Sequence, residues 1–249
     1  MVIEEMHFEF RRKIDKISSN FKKTWSDAEV DNALNNAITE FKEIVYSGNN
    51  AKRYKLGFEV TQQRIDMLAP LVQGFPKEPL LAGTKTGDIY EFNFDLLSKP
   101  YDHFIGADAE ITGCNFTISI KEEQTGDLRS VLKDSNRKPS LRWRRAPGHI
   151  KSNTAGNSSL FVYTDGLFDI IGLRIDYLRK PVEVCLGTYF PIPTQLDPNP
   201  GILKARVNCD IPQTYHTVIV DIAVQEFTRS LEDINRLQLR KDRSDAIIN

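Results

Sequence analysis

Apolar residues recur at Val220, Val224, Phe227, Leu231 and Ile234 with spacings of four, three, four and three. That is the period of one helical face. Ile219, Ile222 and Ala223 widen the stripe, while Asp221, Gln225, Arg229 and Glu232 fall outside it. The pattern predicts a long amphipathic helix over 218–239, whose stripe needs another surface to cover it. Ile3, Met6, Phe10, Ile14 and Ile17 step by three, four, four and three and predict a first helix, ending near Ser18-Ser19-Asn20. Ser26 and Glu29 have the form of a capping box. They open a second helix with Val30, Leu34, Ala37, Ile38, Phe41 and Val45 on its buried face and Gly48 as its cap. Thr61 starts a shorter helix over 62–68, which Pro70 stops.

After Gly87 the period changes to two. Ile89–Phe94, Cys114–Ile120 and Leu160–Tyr163 read as strands, the last closed by an Asp165-Gly166 turn. Ile171, Leu173, Ile175 and Tyr177 alternate with Gly172, Arg174, Asp176 and Leu178, as in a half-buried strand. Pro181 interrupts it and Val182–Leu186 resumes it. About six short strands between 87 and 186 are expected to close on themselves. Pro191, Pro193, Pro198, Pro200 and Gly201 make an extended connector that ends at Pro212. The expected fold class is α+β: a helical bundle formed by the N- and C-terminal helices, with an inserted antiparallel β-sandwich or small barrel. The expected domains are 1–72 with 213–249 as the bundle and 86–190 as the β module, joined by connectors at 73–85 and 191–212.

At 249 residues, 40% hydrophobic and 27% charged, the chain can bury a sizeable core. A net charge of −1 gives no general attraction to nucleic acid or to an anionic membrane. Cys114, Cys185 and Cys209 are far apart and odd in number, which fits a reducing compartment better than a disulfide framework. Glu4, Glu5, Glu9, Arg11 and Arg12 exclude a secretory apolar region, and no apolar run approaches about 18 residues, so no membrane partner is expected.

The search for chemistry finds little. His7, His103, His149 and His216 are all more than four residues apart, so paired zinc-ligand spacing is absent. No GxSxG elbow occurs. Residues 82–88 (AGTKTGD) have the outline of a phosphate loop but lack its second glycine followed by Lys and Ser or Thr; a turn before a strand fits them better. Asp165 and Asp169 flank a turn without the alternating oxygen ligands of a calcium loop. No catalytic residue, metal site or cofactor is expected, and the chain reads as non-enzymatic. The informative segment is 137–151 (RKPSLRWRRAPGHIK). Arg137, Lys138, Arg142, Arg144, Arg145 and Lys151 surround Trp143 with no acid among them. Three readings stand side by side. Arginine and tryptophan are enriched at protein interfaces; guanidinium groups and an indole also suit phosphates and stacked bases; and the segment can be plain solvated surface.

Several segments resemble a structural protein of crAss-like bacteriophages. They are EEMHFEFRRKIDKISSN, EVDNALNNAITEFKEIVYSG and LGFEVTQQRIDML near the N-terminus, then LRIDYLRKPVEV and VDIAVQEFTRSLEDINRLQL. The likeness spans both ends of the chain and the later strands, about half of it; residues 80–159 carry none. The resemblance implies a ring-forming head-to-tail connector of a short-tailed virion. Such a protein is a non-enzymatic adaptor that extends the portal channel and offers a docking surface to the tail. The implied partners are further copies of the chain in a closed ring of about twelve, the portal protein or neighbouring ring and tail proteins, and packaged DNA that passes through the lumen without specific binding. The implied location is the portal–tail region of the virion, with the host cytoplasm as the place of assembly. The alternative function is a nucleic-acid-binding module that uses Arg137–Lys151.

Overall fold

The computed structural model describes residues 1–17, 25–47, 66–152, 158–187 and 205–229. The chain divides into two compact units, 1–70 with 181–249, and 71–180.

In the first unit, α1 spans Ile3–Ile17 and α2 spans Asp27–Ser47. The capping box forms: the Ser26 amide donates to Glu29 Oε2 at 2.9 Å, and the Glu29 amide donates to Ser26 Oγ at 3.3 Å. Two otherwise unpaired groups of the first turn are thereby satisfied. Ile3, Met6, Phe10 and Ile14 are buried, as are all six apolar positions read for α2. Residues 216–229 are helical, preceded by a 3-10 turn at Gln213–Tyr215. This helix buries Ile219, Val220, Ala223 and Val224 and leaves Asp221, Gln225 and Arg229 exposed. Phe227 sits edge-on to Phe10 at 5.6 Å and to Trp25 at 4.5 Å, so the three helices share one apolar seam. Each side chain fully buried there contributes about 1.5–3 kcal/mol. The caps and stripes read at Ser18–Asn20, Gly48, residues 61–65, Leu231, Glu232 and Ile234, and the 191–201 connector, lie outside the described residues.

Val182–Leu186 does not resume a strand. It runs extended along α2: Asn35 brackets Val184 with bonds of 2.8 and 3.1 Å, and Asp31 accepts the Leu186 amide at 3.0 Å. Among the described residues Cys185 alone of this stretch makes a β-bridge, to Val207. Side chains of a helix therefore stand in for a strand partner. Asp31 also pairs with buried His7 at 2.7 Å.

The second unit overturns the expected fold class. The middle of the chain is neither an antiparallel sandwich nor a closed barrel inserted into a bundle. It is one curled, eight-stranded mixed sheet, and this sheet, not the helices, is the dominant element. Its strands are β1 (Val72–Gln73), β2 (Thr84–Thr86), β3 (Ile89–Asn93), β4 (Tyr101–Ile111), β5 (Thr117–Glu122), β6 (Arg145–Ser152), β7 (Ser158–Tyr163) and β8 (Ile170–Arg179). The order is β1-β8-β4-β5-β6-β7-β3-β2, with β1 and β2 at open edges. β1 and β2 fall in or beside the stretch expected to be a connector. The β5–β6 pair is parallel. Parallel neighbours cannot be joined by a hairpin, and here residues 123–144 make the crossover, with the short helix α3 (Leu128–Lys133) inside it.

One face of the sheet carries the core: Tyr90, Phe92, Ala109, Ile118, Ala146, Leu160, Val162, Leu173, Ile175 and Tyr177, among others. Buried Glu78 ties its margin by accepting from the Ser98 amide at 2.7 Å, from Ser98 Oγ at 2.5 Å and from Tyr177 Oη at 3.3 Å. The β4–β8 ladder skips Asp102, Ile105 and Ile171. An extra residue in a ladder bends the strand and increases its twist, and these three help to curl the sheet. They also turn Ile105 and Ile171 to solvent, at 50% and 56% exposure. Ile171 thus departs from the inward row of Leu173, Ile175 and Tyr177 in which its spacing had placed it.

Candidate protein interface

The crossover sets the site. After β5, Gln124 starts a turn into α3, whose Leu128 and Val131 are buried and which packs on β6. Asp134 ends the helix: its carbonyl accepts from the Lys138 amide at 2.9 Å and its carboxylate from the Asn136 amide at 2.8 Å. The chain then closes a tight loop. Ser140 and Arg145 exchange backbone hydrogen bonds of 3.0 and 3.2 Å, and the Arg144 amide donates to the Leu141 carbonyl at 3.2 Å. Arg142, Trp143 and Arg144 occupy the tip.

Trp143 is 65% exposed. The Arg142 guanidinium lies 5.5 Å from its ring centre, and that of Arg144 lies 4.5 Å from the ring of Phe116. Arg144 has φ of 49°, in the left-handed region, which costs an L-residue about 1–2 kcal/mol. The Ser119 amide holds it there by donating to its carbonyl at 3.0 Å. The tip is a fixed projection: an indole between two cations.

The other basic residues of the segment are not part of it. Arg137 turns back and donates to both oxygens of Glu123, at 3.1 and 2.9 Å. Lys138 is exposed on the turn after α3. Arg145 is half-buried at the head of β6. Lys151 lies near the other end of β6, about 20 Å along the strand, with its ammonium 4.1 Å from the ring of Phe161. The seven residues therefore make a compact three-residue tip, a partly neutralised base and a distant lysine, not one basic patch.

Several other chemistry-bearing groups are occupied by structural contacts. Asp165 accepts from the Leu167 amide at 3.0 Å within its own turn. Asp169 accepts from Tyr90 Oη at 2.8 Å and from Lys85; these bonds hold its carboxyl below, and the lysine above, their ordinary values. Residues 84–91 form the β2–β3 hairpin, with Gly87 in its turn at φ of 64°. His216 Nε2 donates to the Ile211 carbonyl at 2.7 Å. His149 is buried between Phe161 and Tyr163, and desolvation pushes its pKa down, helped by Lys151. The three cysteines form no disulfide with one another, and burial raises the Cys209 thiol to about 11. Among the described residues no helix is long and apolar enough to cross a membrane.

No protein-family model matches the chain, and no curated protein matches it. Of the five segments quoted above, the parts that lie among described residues fall on α1, α2, residues 66–68, β8 with the chain just after it, and the helix at 216–229.

Proposed function

We propose that the chain is a non-enzymatic structural subunit of a virion, a ring-forming head-to-tail connector that extends the portal channel and docks tail proteins. The observation that carries this reading is the tip at Arg142, Trp143 and Arg144. Exposing an indole on a rigid, strained turn is costly for an isolated surface and suits a contact that buries it. Tryptophan and arginine are the side chains that most often dominate binding energy at protein interfaces. A ring joins one face of each subunit to a different face of the next, and the tip supplies one such face.

Mass spectrometry of gradient-purified particles, with this chain quantified against the portal protein, tests the proposal. A ratio near one portal copy or a simple multiple is the expected result; absence from clean particles overturns it. The nucleic-acid alternative has weaker support, because Arg137 is neutralised by Glu123 and Lys151 is remote from the tip. Filter binding over a salt series tests that alternative directly: phosphate contacts make affinity fall steeply with salt, and the connector reading expects no such binding.

A further inference from the structure

Beneath the tip lies a second feature. Lys121, Arg137 and Arg145 surround Glu123 and, with Ala146 and Pro147, line a cleft of about 30 Å³. Three cations face one anion. Glu123 is already engaged: Arg137 takes both of its oxygens, and Lys121 stands 3.5 Å away. Among the described residues Arg145 Nε is buried without a hydrogen-bond partner. A buried donor left unpaired bears the full loss of its hydration. The backbone of Arg145 is fixed on both sides, by Ser140 and by the parallel register with Ser119, which anchors its side chain at the wall of the cleft.

We propose that this cleft is a carboxylate-binding site, filled by an aspartate or glutamate side chain of the protein that docks on the Arg142–Trp143–Arg144 tip. The cleft is small: about 30 Å³ holds two or so water-sized groups, the room that a flat carboxylate head takes. The chemistry agrees: the terminal N–H groups of a guanidinium are matched to the oxygens of a carboxylate. The ligand's identity as a protein side chain rests on the interface reading; the cleft itself rests on its geometry alone.

The test follows the arginine Nε–Hε signals of the full chain by NMR during titration with sodium acetate, and separately with inorganic phosphate, at constant ionic strength. The expected result is a saturable shift of the Arg145 signal, reached at lower acetate than phosphate concentration. In R145M, whose fold is checked by its amide spectrum, the Arg137 response weakens at least about tenfold, as loss of a charge-assisted pair requires. No saturable acetate response, or tighter binding of phosphate, overturns the proposal. Particle mass spectrometry judges the connector reading separately, so an acetate response in a chain absent from virions keeps the cleft and removes the connector, and the converse removes the cleft alone.

Discussion

At Arg144 the backbone adopts a conformation that arginine disfavours, and what it gains is a place for its neighbour. The left-handed residue tightens the turn so that Trp143 projects outward. Backbone strain of this kind collects at functional turns, and here it is held by the Ser119 and Leu141 bonds. Trp143→Ala separates use from stability. The exposed indole packs little of its own chain, so the urea midpoint stays within about 0.5 kcal/mol of the parent. Binding to the docking partner, or ring assembly measured by native mass spectrometry, weakens by about 2 kcal/mol or more, as for a buried anchor. Equal assembly of parent and variant would place the contact elsewhere. Composition made Trp143 and its arginines visible in the sequence. The division of labour within the segment was not visible, because Glu123, which neutralises Arg137, lies across a crossover that no local pattern announces.

Elements with a regular local period were readable, α1 and α2 as well as the strands β3, β7 and β8; those whose period is broken were not. The stripes of α1 and α2 and the capping box at Ser26 are set by residues three and four apart. Their burial follows the reading at every described position. Ser26→Ala removes the N-cap acceptor and costs about 1 kcal/mol, read from the thermal midpoint of the helical unit. β6 hid for the opposite reason. Ala146, Pro147, Gly148 and His149 are all buried, so the inside–outside alternation is lost, as in parallel strands covered on both faces. Pro147 and Gly148 also argue against a strand by composition. Both have a place here. The ladder to β7 begins at Gly148, one residue past the proline. A Cβ on Gly148 would stand 2.8 Å from Ile120 Cγ2 and 3.2 Å from Leu160 Cδ1. Gly148→Ala therefore overpacks the sheet and destabilises it by about 1–3 kcal/mol in urea unfolding; an unchanged midpoint would mean that β5 and β7 yield freely. β4 escaped notice because its two extra residues, Asp102 and Ile105, break the alternation midway.

For the whole molecule, the two units should answer acid in opposite directions. In the sheet unit, His149 is buried and its pKa lies below the ordinary 6.5. A depressed base stabilises the fold above 6.5, and that contribution is lost as pH falls through the folded-state value. In the helical unit, Glu226 is raised above the ordinary 4.5, first by desolvation and then by its hydrogen bond to Glu40 and the charge of that residue, with Arg229 opposing. A raised acid contributes stability that is fully present below 4.5 and lost as pH rises through the folded-state value. Acidification from neutral pH therefore strengthens the helical unit while it weakens the sheet. Hydrogen exchange resolves the two, with amides of α2 reporting one unit and amides of β6 and β7 the other. After correction for intrinsic exchange, protection in α2 rises and protection in β6 and β7 falls, each by about tenfold per unit of pKa displacement. Glu226→Gln flattens only the helical response and His149→Gln only that of the sheet. Parallel responses in both units would mean that they unfold as one, and the opposed titrations would then cancel within a single transition.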